Sequence, residues 1–196
     1  AALATFKRVL TILKLLVAKV DILETMTPIS FLSFRSRLEA ASGFESWQFR
    51  EVEFVLGHRR AGTAHHHAGT PAGERLEVRL RQPSLYDSFL SFLVGQGYAI
   101  PPEVLTRDFS QAAPEDARVR EVLVEIYRHD PTAREVCERM VDLDEGIQEW
   151  RYRHVKMVER TIGTKIGTGG SPGAEYLRRT LFQPLFPDLW AIRAAL

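Results

Sequence analysis

The chain has 196 residues, of which 45% are hydrophobic and 26% charged, with a formal net charge of +1. That length holds one domain with a substantial core, and the near-neutral charge excludes a global field drawing the protein to nucleic acid or to an anionic membrane. A single cysteine, Cys137, excludes a disulfide framework within the chain and favours a reducing, cytoplasmic setting.

The opening residues are apolar but broken by Lys7, Arg8, Lys14 and Lys19, and no small-residue cleavage site follows, so neither a bilayer span of roughly 20 apolar residues nor a signal peptide is expected. The stretch lacks an initiator methionine, which suggests the later part of a longer protein. Leu10, Leu13, Val17 and Val20, with Leu16 and Leu23 beside them, recur at helical spacing and predict an amphipathic helix over residues 3–24. Thr27-Pro28 is an N-cap followed by a first-turn proline, and the helix it starts carries Phe31, Phe34, Arg35 and Leu38 on one side until Ser42-Gly43.

A third helix over residues 45–56 is expected to bury Trp47, Phe49, Val52, Phe54 and Val55. Residues 57–73 change to glycine, alanine, histidine and threonine, which reads as a flexible surface loop. Short helices are predicted over 76–80 and 85–95, the second capped by Ser84, and residues 103–113 are irregular or a short helix. Residues 114–129 form the next helix. Asp130-Pro131 then starts a long one that continues to about Ile162, weakened only by Gly146. No stretch alternates with a period of two and no repeat is visible, so the fold class is all-α.

Two features carry potential chemistry. Ile147, Trp150, His154 and Met157-Val158 place His154 on the apolar stripe of the long helix, one turn from a tryptophan. A neutral imidazole there suits a transition metal or haem iron, and equally a core histidine bonded to a carbonyl. The loop from Gly163 to Gly173 lacks the ending of a phosphate-binding loop, but glycines this dense let a backbone approach a flat or charged ligand, or simply join two helices. Arg35 beside Phe31 suits bidentate binding of a small carboxylate, or an ordinary surface ion pair. His65, His66 and His67 have no partners at metal-ligand spacing, and no role is assigned to them.

Several stretches, in order and over essentially the whole chain, resemble the tryptophan 2,3-dioxygenase family. They are Leu23-Glu24-Thr25-Met26-Thr27-Pro28 leading to Phe34-Arg35, then Ala41-Ser42-Gly43-Phe44-Glu45-Ser46-Trp47-Gln48-Phe49-Arg50, and Trp150-Arg151-Tyr152-Arg153-His154 running on to Gly167-Thr168-Gly169-Gly170-Ser171-Pro172-Gly173. Pro83-Ser84-Leu85-Tyr86 and Phe186-Pro187-Asp188-Leu189-Trp190 fit as well. The resemblance implies a single all-α haem-dioxygenase domain and cleavage of the indole C2–C3 bond of L-tryptophan by O2. The product would be N-formylkynurenine, in the first step of the kynurenine pathway. By motif position it implies that His154 ligates the iron of haem b, and that Arg35 binds the substrate carboxylate. Phe31 would lie against the substrate and Thr168 would contact its ammonium and carboxylate region, while Leu38, Ser42 and Gly43 would lie near the haem edge.

A cytoplasmic homotetramer is implied too. The family's distal histidine falls in an N-terminal part ahead of these residues, so no catalytic residue is assigned here, and a chain lacking that part is expected to retain haem poorly. Pro172 replaces a more usual serine, which stiffens the loop and removes one N–H donor. Two alternatives remain: a paralogue oxygenating a substituted indole, and a non-catalytic haem- or indole-binding helical protein.

Overall fold

The computed structural model describes residues 1–39, 46–168 and 173–196. In chain order these form α1 (Ala2–Glu24), α2 (Pro28–Arg35), a 3-10 turn (Ser36–Leu38), α3 (Trp47–Leu56) and a second 3-10 helix (Ala61–His67). There follow α4 (Pro71–Leu80), α5 (Leu85–Gly95), α6 (Pro102–Leu105), α7 (Ala117–His129), α8 (Pro131–Ile162), α9 (Ala174–Arg178) and α10 (Pro187–Ala191), with a closing 3-10 turn (Ile192–Ala195). Among the described residues there is no β-strand, in line with the all-α expectation. No helix among them is long and apolar enough to cross a membrane.

The caps read from sequence are the ones that start the helices. The Ser30 amide donates to Thr27 Oγ1 at 3.1 Å, and the amides of Thr132 and Ala133 both donate to Asp130 Oδ1. Ser84 and Asp87 form a reciprocal capping box on α5. The stop of α2 differs from expectation. Its α-helical turns end at Arg35, tighten into the 3-10 turn, and leave the helix at Glu39, which takes φ +48°. The expected stop at Ser42-Gly43 lies outside the described residues.

The residues divide into two compact units, Ala1–Glu45 with Glu138–Pro184, and Ser46–Cys137 with Leu185–Leu196. In the first, α1 buries Leu13, Val17 and Val20, a narrower stripe than expected, because Leu16 and Leu23 stay about half exposed. The glycine that seemed a weakness in α8 has a packing reason. A Cβ on Gly146 would lie 2.6 Å from Leu13 Cδ2, so the missing side chain lets α1 seat against the α8 backbone. Arg153 of α8 then pairs with Asp21 and, at 2.8 Å, with Glu24 at the end of α1. Further along, Gln148 and Arg151 donate to the carbonyls of Gln183 and Thr180, which pins the segment after α9 back onto α8.

In the second unit, Phe54 and Leu76 are fully buried with Ala64, and Trp47 and Leu80 pack against them. Each of those two large side chains contributes about 1.5–3 kcal/mol by leaving water. The composition of residues 57–73 suggested a loop, but they hold the 3-10 helix and the start of α4. Thr63 and Ala64 are buried there. The face of α3 also differs: Val52 and Val55 are exposed, whereas Arg50 and Glu53 are buried. Glu53 accepts from Arg50 and, at 2.6 Å, from Arg60, so two guanidinium groups offset the cost of burying one carboxylate. Tyr86 lies between Phe89 and Phe186, and its hydroxyl donates to Asp188 Oδ2 at 2.8 Å.

Candidate functional site

The first unit gathers the residues that the sequence singles out. His154 sits on α8, about halfway from its buried face to solvent, and Trp150 one turn earlier lies flat against it. The two rings are 5.3 Å apart and only 10° from parallel. Spacing by four puts both on one side of the helix. Among the described residues no hydrogen bond reaches either imidazole nitrogen.

Burial pushes the His154 imidazole below its ordinary value of 6.5, so the ring is neutral at pH 7 and keeps a lone pair for a metal. That shift has a stability consequence. The unfolded chain takes up the proton more readily than the folded one, so the stabilising contribution is complete above pH 6.5 and is lost as the pH falls below it. The haem-free protein should therefore lose melting temperature between about pH 8 and about pH 5.5, and His154→Gln should lose measurably less. Equal losses in thermal melts of the two proteins would refute a depressed imidazole.

The next turn of α8 after His154 forms one wall of an apolar cavity of about 210 Å³. Leu23 and Met26 from the end of α1, Phe31 from α2, and Met157, Val158, Thr161 and Ile162 from α8 line it. The Thr161 hydroxyl donates back to the Met157 carbonyl, so this threonine adds no free polar group to the wall. Phe31 is held edge-on against Phe34, with centroids 5.3 Å apart and an angle of 79°. A neutral imidazole on the same helix face as an apolar cavity suits haem iron, and the two fit each other in chemistry.

Arg35 ends α2, and its guanidinium donates to the carbonyl of Ile166, two residues before Thr168. Residues 131 positions apart in the chain thus meet, and among the described residues Arg35 has no carboxylate partner. Arg35 and Thr168 are both partly buried. Gly173 closes the loop at φ +62°, where a Cβ would come within 2.7 Å of the Lys165 carbonyl oxygen, so glycine is required at that approach. Leu38 lies in the 3-10 turn after α2, partly buried. Ser42, Gly43 and Pro172 lie outside the described residues.

Sequence reasoning missed most of the cavity wall. Leu23 and Met26 stand in the sequence reading only as part of the first helix and of a family motif, and Thr161 is given no role there. Their one shared signal is position, since all sit within two turns of an element end. Arg153 was likewise not singled out, although its two carboxylate partners fix α8 beside His154. His65, His66 and His67 form no metal-ligating group, and none occurs among the described residues.

Comparison with known proteins gives a consistent picture. The family model for tryptophan 2,3-dioxygenase matches residues 1–89 and 103–196. A tryptophan 2,3-dioxygenase from Herpetosiphon aurantiacus is 57% identical over 192 residues, covering 98% of this chain and 74% of the relative. One from Anaeromyxobacter sp. strain K is 59% identical over 196 residues, covering all of this chain and 74% of the relative. A third, from Burkholderia pseudomallei strain 1106a, is 43% identical over 194 residues and is covered over 63% of its length. Identity of this order, carried from one end of the chain to the other, places it in the tryptophan 2,3-dioxygenase family.

Proposed function

We propose that this chain supplies the iron-ligand and carboxylate-binding side of a haem-dependent dioxygenase that opens the indole C2–C3 bond of L-tryptophan with O2, giving N-formylkynurenine. Family membership supports the reaction class. The observation that carries the residue roles is that one unit holds a neutral imidazole, an apolar cavity walled by Phe31, and an arginine bonded to the glycine-rich loop.

In this reading His154 would hold the iron of haem b through a ring nitrogen and Leu38 would lie near the haem edge, a role the family resemblance also implies for Ser42 and Gly43. Haem bound there would supply the O2 chemistry of the reaction. Arg35 binds the substrate carboxylate through its planar fork, and Thr168 holds the ammonium end of the amino acid. Phe31 stacks against the indole and keeps water out of the cavity. With the zwitterionic end clamped, the indole has one approach to the oxygen, which is the entropic share of the catalysis. A cytoplasmic homotetramer belongs to the proposal, supported by Ile12, Leu15, Leu16 and Ile22, which leave apolar surface exposed on α1.

The test is anaerobic reduction of the haem-loaded full-length protein, followed by L-tryptophan and then O2. Growth of the N-formylkynurenine absorbance is the expected result. A ferrous Soret band indifferent to tryptophan, with no product, would overturn the reading.

A further inference from the structure

We propose that Trp150 is a positioning residue that sets the plane of the His154 imidazole, and with it the direction in which the ring presents its ligand nitrogen. The inference rests on the iron-ligand reading of His154. A histidine's ligating lone pair lies in the ring plane, so the direction of coordination depends on the second side-chain torsion as well as the first. That torsion joins a tetrahedral carbon to a flat ring, and its wells are broad. Something outside the side chain has to narrow them.

In most metal sites the narrowing comes from a hydrogen bond between the other ring nitrogen and a carboxylate or carbonyl. Among the described residues His154 has no such bond. What it has is an indole lying 10° from parallel at a centroid distance of 5.3 Å, the geometry of an offset stack and not of an edge contact. Helical side chains lean toward the N-terminus, so the imidazole is carried back over the turn that bears Trp150. A rotation of the His154 ring out of this plane would drive its edge into the indole face. The turn itself is held in place. Arg153, between the two aromatic residues, pairs with Asp21 and Glu24 of α1 and stops α8 from rolling. The stack therefore does for ring orientation what an outer-sphere hydrogen bond does elsewhere.

An apolar side chain at position 150 could fill space without defining a plane, and the experiment exploits that difference. Trp150→Leu and Trp150→Phe are compared with the parent as haem-loaded full-length proteins. Two quantities are read: the rate of haem release to an acceptor globin, and the iron–histidine stretching band in the resonance Raman spectrum of the ferrous form. Trp150→Leu is expected to release haem about tenfold faster, as loss of an outer-sphere partner does, and to broaden or shift the band. Trp150→Phe, which restores a flat ring, is expected to stay close to the parent in both. Should Trp150→Leu fail to fold by circular dichroism, Trp150→Met is read in its place. A folded aliphatic variant with the parent's band and release rate would overturn the proposal, and so would a phenylalanine variant as impaired as the aliphatic one. His154→Ala separates this from failure of the ligand reading. If the iron–histidine band persists there, His154 is not the ligand; if it vanishes while Trp150→Leu matches the parent, the role of Trp150 alone is refuted.

Discussion

Replacing His154 with alanine is expected to abolish haem binding while leaving the helical fold in place. Alanine is the best helix former, so the middle of α8 loses no backbone propensity. The imidazole is half-buried and its contact is a stack with Trp150, so the folded state gives up less than about 1.5 kcal/mol of ring–ring attraction. The iron, in contrast, would lose its protein ligand outright. Loss of an outer partner already costs roughly 10–100-fold in metal affinity, and loss of the ligand itself should exceed that. The measurement is a haem titration followed by gel filtration, with far-ultraviolet circular dichroism on the same sample. A variant that leaves the column with haem bound and the parent's ferrous spectrum would show that another residue ligates the iron.

The second large effect is expected at Arg35. A bidentate guanidinium–carboxylate contact combines two charge-assisted hydrogen bonds, each worth about 1.5–3 kcal/mol when the partner group is ionised. Arg35→Ala should therefore raise the KM for L-tryptophan by about 100-fold or more, with haem content unchanged. Arg35→Lys should recover only part of the loss, because an ammonium keeps the charge and not the fork. The Arg35 guanidinium also donates to the Ile166 carbonyl, so part of the defect should come from a less ordered glycine-rich loop. Methyl esterification of the substrate tells the two apart. If the carboxylate is the partner, the ester is a poor substrate for the parent protein and the alanine variant no longer distinguishes ester from acid. An unchanged KM for tryptophan in Arg35→Ala would refute the carboxylate role.

The division between what was legible and what was not follows the range of the forces involved. Thr27, Ser84 and Asp130 were readable as caps because a cap is a contact between a side chain and an amide two or three residues away. Burial on α3 was misread for the opposite reason. The sequence offers Val52 and Val55 as natural core residues, but Glu53 and Arg50 are buried because Arg60, seven residues beyond Glu53, completes the charge arrangement. The same holds for residues 57–73. A composition of small and polar residues cannot reveal that Ala64 meets Phe54 and Leu76 in a fully buried cluster.

By itself, then, the sequence determined the helical class, the placement of the long helix from Pro131 to Ile162, and the family, through motifs kept in order along the chain. It also put His154 and Trp150 on one face, since a spacing of four leaves no other choice in a helix. Only the tertiary structure decided that the two rings lie nearly parallel, that Arg35 reaches the loop ahead of Thr168, and that Leu23, Met26 and Phe31 line one cavity with the turns of α8 after His154. Those are contacts between segments more than a hundred residues apart, or torsions set by packing, and no local pattern encodes either.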